Sequence, residues 1–195
     1  MHVTDLHRRS VEGFLDRVAA LDGLAPDRWG GPTPCADWDV RTLLNHLVYE
    51  DLWTAPLMEG ATVDEVGDRF EGDLLGDDPL GAARAAADVA VTAAASGIVA
   101  GRTVHLSFGD VPAEEYAYQL AADHIIHGWD LAAATGGDTS MDADLVAALA
   151  EWFAANEDAY RQAGAIAERP DGETSGDAWA ELLRAFGRDP AWTPA

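Results

Sequence analysis

Between Pro112 and the glycine pair Gly136-Gly137 the chain runs proline-free, with its polar chemistry gathered near the end. Proline suits a first helical turn and glycine a helix stop, so this run predicts a helix to about residue 135. Inside it stands Gln119-Leu-Ala-Ala-Asp-His-Ile-Ile-His-Gly-Trp-Asp130. Asp123 and His127 are four residues apart, and one helical turn stacks them on the same face. A carboxylate and an imidazole so placed can aim at one point without bending the backbone, which suits a divalent metal. His124 lies one residue round from Asp123, and Trp129 and Asp130 follow His127 at once. Two ligands do not make a site, so this helix has to face another that supplies more.

Other segments offer such partners. Leu6, Val11, Phe14, Leu15, Val18 and Leu21 form a helical stripe over 4–22, with Thr4 or Asp5 as cap and Gly23 as stop. Val40, Leu43, Leu44, Leu47, Val48 and Leu52 do the same over 39–57, starting at Asp37 or Asp39. Asp78-Pro79 opens a third helix, 79–98, whose stripe of alanine and valine predicts close packing. Helices are also expected over about 142–160 and around Trp179 to Phe186, with a mobile stretch over 164–176 between them. Val104, Leu106 and Phe108 alternate with polar residues, the period of a half-buried strand, with a turn at Gly109-Asp110. Pro32 and Pro34 keep 29–39 out of helix. The acidic run 59–78 reads as a solvated connection, with a short helix within 63–70, that folds over one end of the domain. The expected fold class is therefore mostly α. One domain over 1–195 holds a four-helix bundle with a small β excursion, and the C-terminal helices of about 142–187 pack on it.

Composition excludes more than it assigns. Twelve arginines, with no lysine, stand against 35 acids, a formal net charge of −23. Such a surface repels nucleic acid and anionic membranes, so neither is an expected partner. The single cysteine, Cys35, allows no intramolecular disulfide and fits a reducing compartment. The first ten residues hold no apolar core of signal-peptide length, and the Ala-rich stretch 82–100 is broken by Arg84, Asp88, Ser96 and Gly97. A cytoplasmic protein is expected.

A third ligand for the Asp123–His127 face can come from the helix over 39–57. His46 sits there among Leu43, Leu44 and Leu47, with Glu50 one turn along on the same side. A lone histidine on an apolar face also reads as a core residue bonded to a carbonyl. Facing Asp123 and His127, it completes three mixed nitrogen and oxygen donors with an open position, the pattern of a catalytic or substrate-binding site rather than a structural one. Other candidates are weaker. Cys35 stands near Asp37 and Asp39, which oppose a thiolate, so packing at a helix start is its expected role. His105 faces solvent or a pocket rim, and His2 and His7 fall in a frayed N-terminus. The acidic run lacks a calcium-loop pattern, no glycine-rich turn follows a strand, and no Gly-x-Ser-x-Gly elbow occurs.

The segment Trp29 to His46, with Pro34-Cys-Ala-Asp-Trp38 ahead of the histidine, resembles the N-terminal region of the mycothiol-dependent maleylpyruvate isomerase-like proteins of actinobacteria. These belong to the wider DinB/YfiT-like superfamily of metal-binding four-helix bundles. The run Asp123 to Gly136, with its His127-Gly-Trp-Asp-Leu131, is similar to the family's second signature. The ending Leu183-Arg-Ala-Phe-Gly-Arg-Asp-Pro-Ala-Trp192 resembles the tail of one short actinobacterial subfamily. Together these matches run from about 29 to 192.

The resemblance implies a divalent metal, zinc above all and otherwise nickel or another ion, on His46, Asp123 and His127. The isomerase more typically has Glu at the acid position, so the shorter Asp123 must sit closer to the ion or act through water. His124 stands as a lower-ranked alternative ligand, and Glu50, Asp130 and Trp129 as residues that orient the ligands. The resemblance also implies a low-molecular-weight thiol such as mycothiol, and pairing into a homodimer. The isomerase that names the family has an extra C-terminal domain. Only 60 residues follow Thr135, in two helices and a link, so isomerase activity is not carried over. The reading is a metal-dependent S-transferase acting on a small electrophile, the alternative a metal-binding module or sensor without catalysis. A thiol-sized cavity open to the metal position separates the two.

Overall fold

The computed structural model describes residues 1–171 and 176–194. Helices α1 (Val3–Ala19), α2 (Val40–Glu59), α4 (Pro79–Val99) and α5 (Ala113–Thr135) form the bundle. Helix α1 packs on α5 and α2 on α4, while α1–α4 and α2–α5 contacts close the ring. The one-turn helix α3 (Val63–Val66) and the hairpin β1 (Thr103–Leu106) and β2 (Gly109–Pro112) lie toward one end. Helices α6 (Ala143–Ala154), α7 (Glu157–Gln162) and α8 (Ala178–Ala185) complete the described elements. The fold is the mostly helical one expected, with a two-stranded antiparallel sheet.

The apolar stripes become the core. Leu43, Leu44 and Leu47 of α2 are completely buried against Phe14, Val18 and Ala83, each worth about 1.5–3 kcal/mol in transfer terms. Ala83, Ala86, Ala87, Ala90 and Ala94 form the inner face of α4 and let it lie close to α2. That helix has the length and mean hydropathy, 1.3, of a membrane-crossing segment, contrary to the sequence expectation. Its alanine face is spent inside the bundle, and Arg84 and Asp88 stand at the surface. A second core joins α5, α6 and α8 through Ile125, Trp129, Leu149, Phe153 and Phe186, with Phe153 and Phe186 stacked at 3.7 Å.

Local signals set the boundaries. Asp39 caps α2, accepting the Thr42 N–H at 2.7 Å, and Asp78 caps α4 by accepting from Gly81 at 2.9 Å. Gly136 ends α5 in the left-handed region at φ +74°, and the Gly137 N–H returns to the Ala132 carbonyl. Helix α1 starts at Val3, one residue before the expected start at 4, with the His2 ring accepting the Thr4 N–H, and ends at Ala19, short of the expected 22. His7 consequently lies one full turn inside and is buried, not frayed. The strand pattern also needs correction. The chain turns at Ser107-Phe108, with Leu106 paired to Gly109, so Phe108 is the exposed hairpin tip and only Val104 is fully buried.

Helix 142–160 is divided at Asn156, whose amide donates to the Trp152 carbonyl and finishes α6. The acidic connection is fastened along α2. Asn45 donates to the Gly72 carbonyl and accepts the Leu74 N–H, and Arg41 pairs with Asp73. Of the stretch expected to be mobile, 172–175 lies outside the described residues. The part before it is anchored: Arg161 donates to the carbonyls of Ala167 and Ala185, and Arg169 pairs with Glu157.

Candidate metal centre and its cavity

Helices α2 and α5 bring His46, Asp123 and His127 together. Their donor atoms lie within 4.8 Å of one another. His46 Nε2 is 3.7 Å from Asp123 Oδ2, and His127 Nε2 is 3.8 Å from Asp123 Oδ1. Ligands about 2.0–2.1 Å from a tetrahedral ion are themselves roughly 3.3 Å apart, so the three fit an ion after a small closure of side chains. Burial opposes the Asp123 charge, but pairing with His46 and the nearness of His127 outweigh it and hold the carboxyl down to about 2. Burial likewise opposes the charged His46 ring, and Asp123 and then Glu50 lift it above its usual value. The ionised Asp123 is ready to ligate, whereas His46, whose charged form is favoured by the same pairing, gives up its proton when a metal binds.

A chain of contacts orients His127. Its Nδ1 is 2.8 Å from Asp130 Oδ2, which fixes the ring with Nε2 turned to Asp123. Asp130 is completely buried. It is ionised because, against the cost of burial, it is bonded by His127 and Arg188. Arg188 Nη2 reaches Asp130 Oδ2 at 2.8 Å, and Nε lies 3.1 and 3.2 Å from the two oxygens. Gly187 makes this approach possible. At φ +76° it is left-handed, and a Cβ there would stand 2.7 Å from the Ala167 carbonyl oxygen.

Cys35 joins the same group, with Sγ donating to Asp130 at 3.3 Å and accepting from Arg188 at 3.0 Å. Burial, then the Asp130 charge, pushes its thiol up to about 12, so it stays protonated. The expectation of an unreactive Cys35 rested on Asp37 and Asp39; burial and Asp130 are the operative causes. Thr33 holds the loop, accepting the Cys35 N–H and donating to the Trp38 carbonyl. Trp38 is thereby laid over both histidines, 4.5 Å from the His46 ring and 5.5 Å from the His127 ring.

The donors open onto a cavity of about 710 Å³. Glu50 is on its wall, and burial, then Asp123, raises its carboxyl to about 7. Tyr116 and Tyr160, both raised by burial, also line it, with Phe108 from the hairpin tip and Ala165 to Ala167 from the anchored link.

Two expected residues do not arrive. His124 turns into the core, its Nδ1 2.8 Å from the Leu120 carbonyl and its Nε2 3.3 Å from Asp51. Trp129 packs in the α5–α6–α8 core. Both lie on other faces of α5 from Asp123. Trp38 and Arg188 were not singled out as site residues. Trp38 sits inside the Pro-Cys-Ala-Asp-Trp motif, and Arg188 inside the C-terminal Gly-Arg-Asp-Pro, so each was legible as motif without a role. Of the remaining histidines, His105 forms a cross-strand pair with Asp110 at 2.7 Å, half exposed.

The motif carrying Cys35 and Trp38, and the helix carrying Asp123 and His127, lie within one family pattern. The family model of the mycothiol maleylpyruvate isomerase N-terminal domain matches residues 7–132. The chain belongs to this family. It is also 34% identical over 146 residues to the uncharacterized proteins Rv0738 and MT0763 from two strains of Mycobacterium tuberculosis, covering 71% of this chain and 70% of each relative. No solved structure matches it. The family model covers α1 to nearly the end of α5, so it includes all three donors but stops short of Arg188.

Proposed function

We propose that this protein binds a divalent metal, zinc foremost, through His46, Asp123 and His127, and uses it to transfer a low-molecular-weight thiol such as mycothiol to a small electrophile in the cytoplasm. The observation that carries this reading is the convergence of three donors from two helices at the wall of an open 710 Å³ cavity. A sealed donor cluster would favour a passive metal binder. An open one leaves room for a thiol and a second substrate.

A divalent ion held there lowers the pKa of a bound thiol and keeps it as thiolate at neutral pH. The protein's own groups do the rest. Asp130 holds the His127 ring so that Nε2 stays directed to the ion position. Arg188 holds Asp130, and the Trp38 ring covers the two histidines on one side and limits water there. Cys35 stays a protonated thiol and does not compete as nucleophile.

Elemental analysis of purified protein beside His46→Ala and His127→Ala tests the site, and thiol transfer with and without chelator tests the chemistry. Near one equivalent of metal, lost in both variants, and chelator-sensitive transfer are expected. Full metal retention in both variants sinks the site.

A further inference from the structure

The cavity also limits what the electrophile can be. The chain has no lysine, so its twelve arginines are its side-chain cations apart from histidine. Among the described residues Arg188 is the arginine that lines the cavity, and all three of its guanidinium nitrogens are engaged. Nε and Nη2 hold Asp130, Nη2 also meets Cys35 Sγ, and Nη1 donates to the Phe186 carbonyl at 3.0 Å. Asp130 already neutralises it. The wall otherwise carries Asp37, Glu50 and Asp123. A divalent ion would be balanced by Asp123 and one bound thiolate, leaving Asp37 and the partly ionised Glu50 facing any further ligand. An anionic substrate entering there loses its hydration and meets no free cation.

Beside His46, His127 and the neutral polar groups of Gln119, Tyr116 and Tyr160, the lining includes an apolar share. Phe108, at the hairpin tip, is 72% exposed and still lines the cavity. Trp38, Tyr160 and Ile166 line it as well. A large exposed ring at a cavity mouth gains by covering itself with an apolar ligand, at about 25 cal/mol per Å² removed from water.

We propose that the cavity takes an uncharged, apolar electrophile, seated against Phe108, and turns anionic electrophiles away. This rests on the S-transferase reading and names its second substrate class. With an aryl halide the thiolate sulfur forms an S–C bond to the ring carbon, the C–halogen bond breaks and halide leaves, the thiol proton having passed to water. The dianionic ketoacid that the family name evokes does not fit such a wall.

The test uses two unreactive probes that share one ring, 1,3-dinitrobenzene and 3,5-dinitrobenzoate, titrated by calorimetry into metal-loaded protein saturated with 2-mercaptoethanol, so that a thiolate already fills the open position on the ion. The neutral probe is expected to bind at least tenfold tighter. Phe108→Ala, at an exposed tip, should weaken it at least fivefold, and Glu50→Gln should narrow the gap by strengthening the anion. Equal binding, tighter binding of the anion, binding of neither probe, or an unchanged Phe108→Ala overturns the proposal. Turnover of 1-chloro-2,4-dinitrobenzene with thiol is read separately. Its absence alongside an intact binding preference removes the S-transferase reading and leaves the cavity's selectivity standing.

Discussion

Two histidine–carboxylate groups span the same pair of helices. One, His46 with Asp123 and His127, faces the cavity. The other, His124 with Asp51, lies in the bundle core beside His7 of α1, with ring centroids of the two histidines 5.9 Å apart. Asp123 and His124 are neighbours in sequence and belong to different groups, because successive residues on a helix point about 100° apart. The outer group converges on a point and keeps access to solvent. The inner pair is sealed, and its 3.3 Å contact is an ion-pair separation without a well-directed hydrogen bond. Burial opposes the charged His124 ring, and Asp51 raises it nonetheless. The same residue types thus serve ligation where donors converge and are open, and helix-to-helix locking where they are paired and dry.

The largest expected effect falls on the inner pair. Asp51→Ala leaves His124 buried without its partner carboxylate and should cost about 3–5 kcal/mol, the range for breaking a buried pair. Urea unfolding gives the loss, and metal content per folded molecule should stay unchanged. A metal-free but equally stable variant would exchange the roles assigned to the two groups. Next come the outer ligands. His127→Ala should weaken metal affinity at least about 100-fold while moving the unfolding midpoint little, read by competition with a chromogenic chelator.

The third prediction concerns His7. Burial, then the neighbouring His124 charge, lowers His7 to about 3 from its ordinary 6.5. Its folded form is neutral, so the stability it permits is complete above 6.5 and falls as pH drops towards 3. Between pH 7 and 5 that amounts to about 2 kcal/mol, at roughly 1.4 kcal/mol per unit. Unfolding at the two pH values measures it, and His7→Leu should flatten the difference. An acid sensitivity identical in His7→Leu would place its origin elsewhere.

The smallest effect is expected at Cys35, which forms a second group of donors with His127 and Asp130. Arg188 already occupies that group through both Asp130 and Sγ. Cys35→Ser should therefore change metal affinity less than about threefold and stability by about 1 kcal/mol or less. Metal lost in Cys35→Ser and kept in His46→Ala would move the site to the Cys35 side.

Much of this comparison was readable in advance. The stripes of α1, α2 and α4 and the stop of α5 at Gly136 follow from periodicity and turn chemistry, and Asp123 with His127 follows from spacing. The direction of His124 did not, since a residue 100° round from Asp123 can face either a cavity or a core until the neighbouring helix is placed. The hairpin tip was misread because Phe108 continues the alternation of Val104 and Leu106. A two-residue turn in which Leu106 pairs with Gly109 breaks that alternation, and a period of two cannot show where a strand folds back.

The sequence by itself determined a helical bundle, a net charge of −23 without lysine, and a carboxylate and histidine on one face of α5. These depend on local periodicity and composition, which the chain carries before it folds. The tertiary structure decided that His46 meets that face under Trp38, that Arg188 crosses 58 positions to hold Asp130, and that His124 turns inward to Asp51. Such contacts depend on how helices rotate against one another and where the tail returns, and both are settled by packing between segments far apart in the chain.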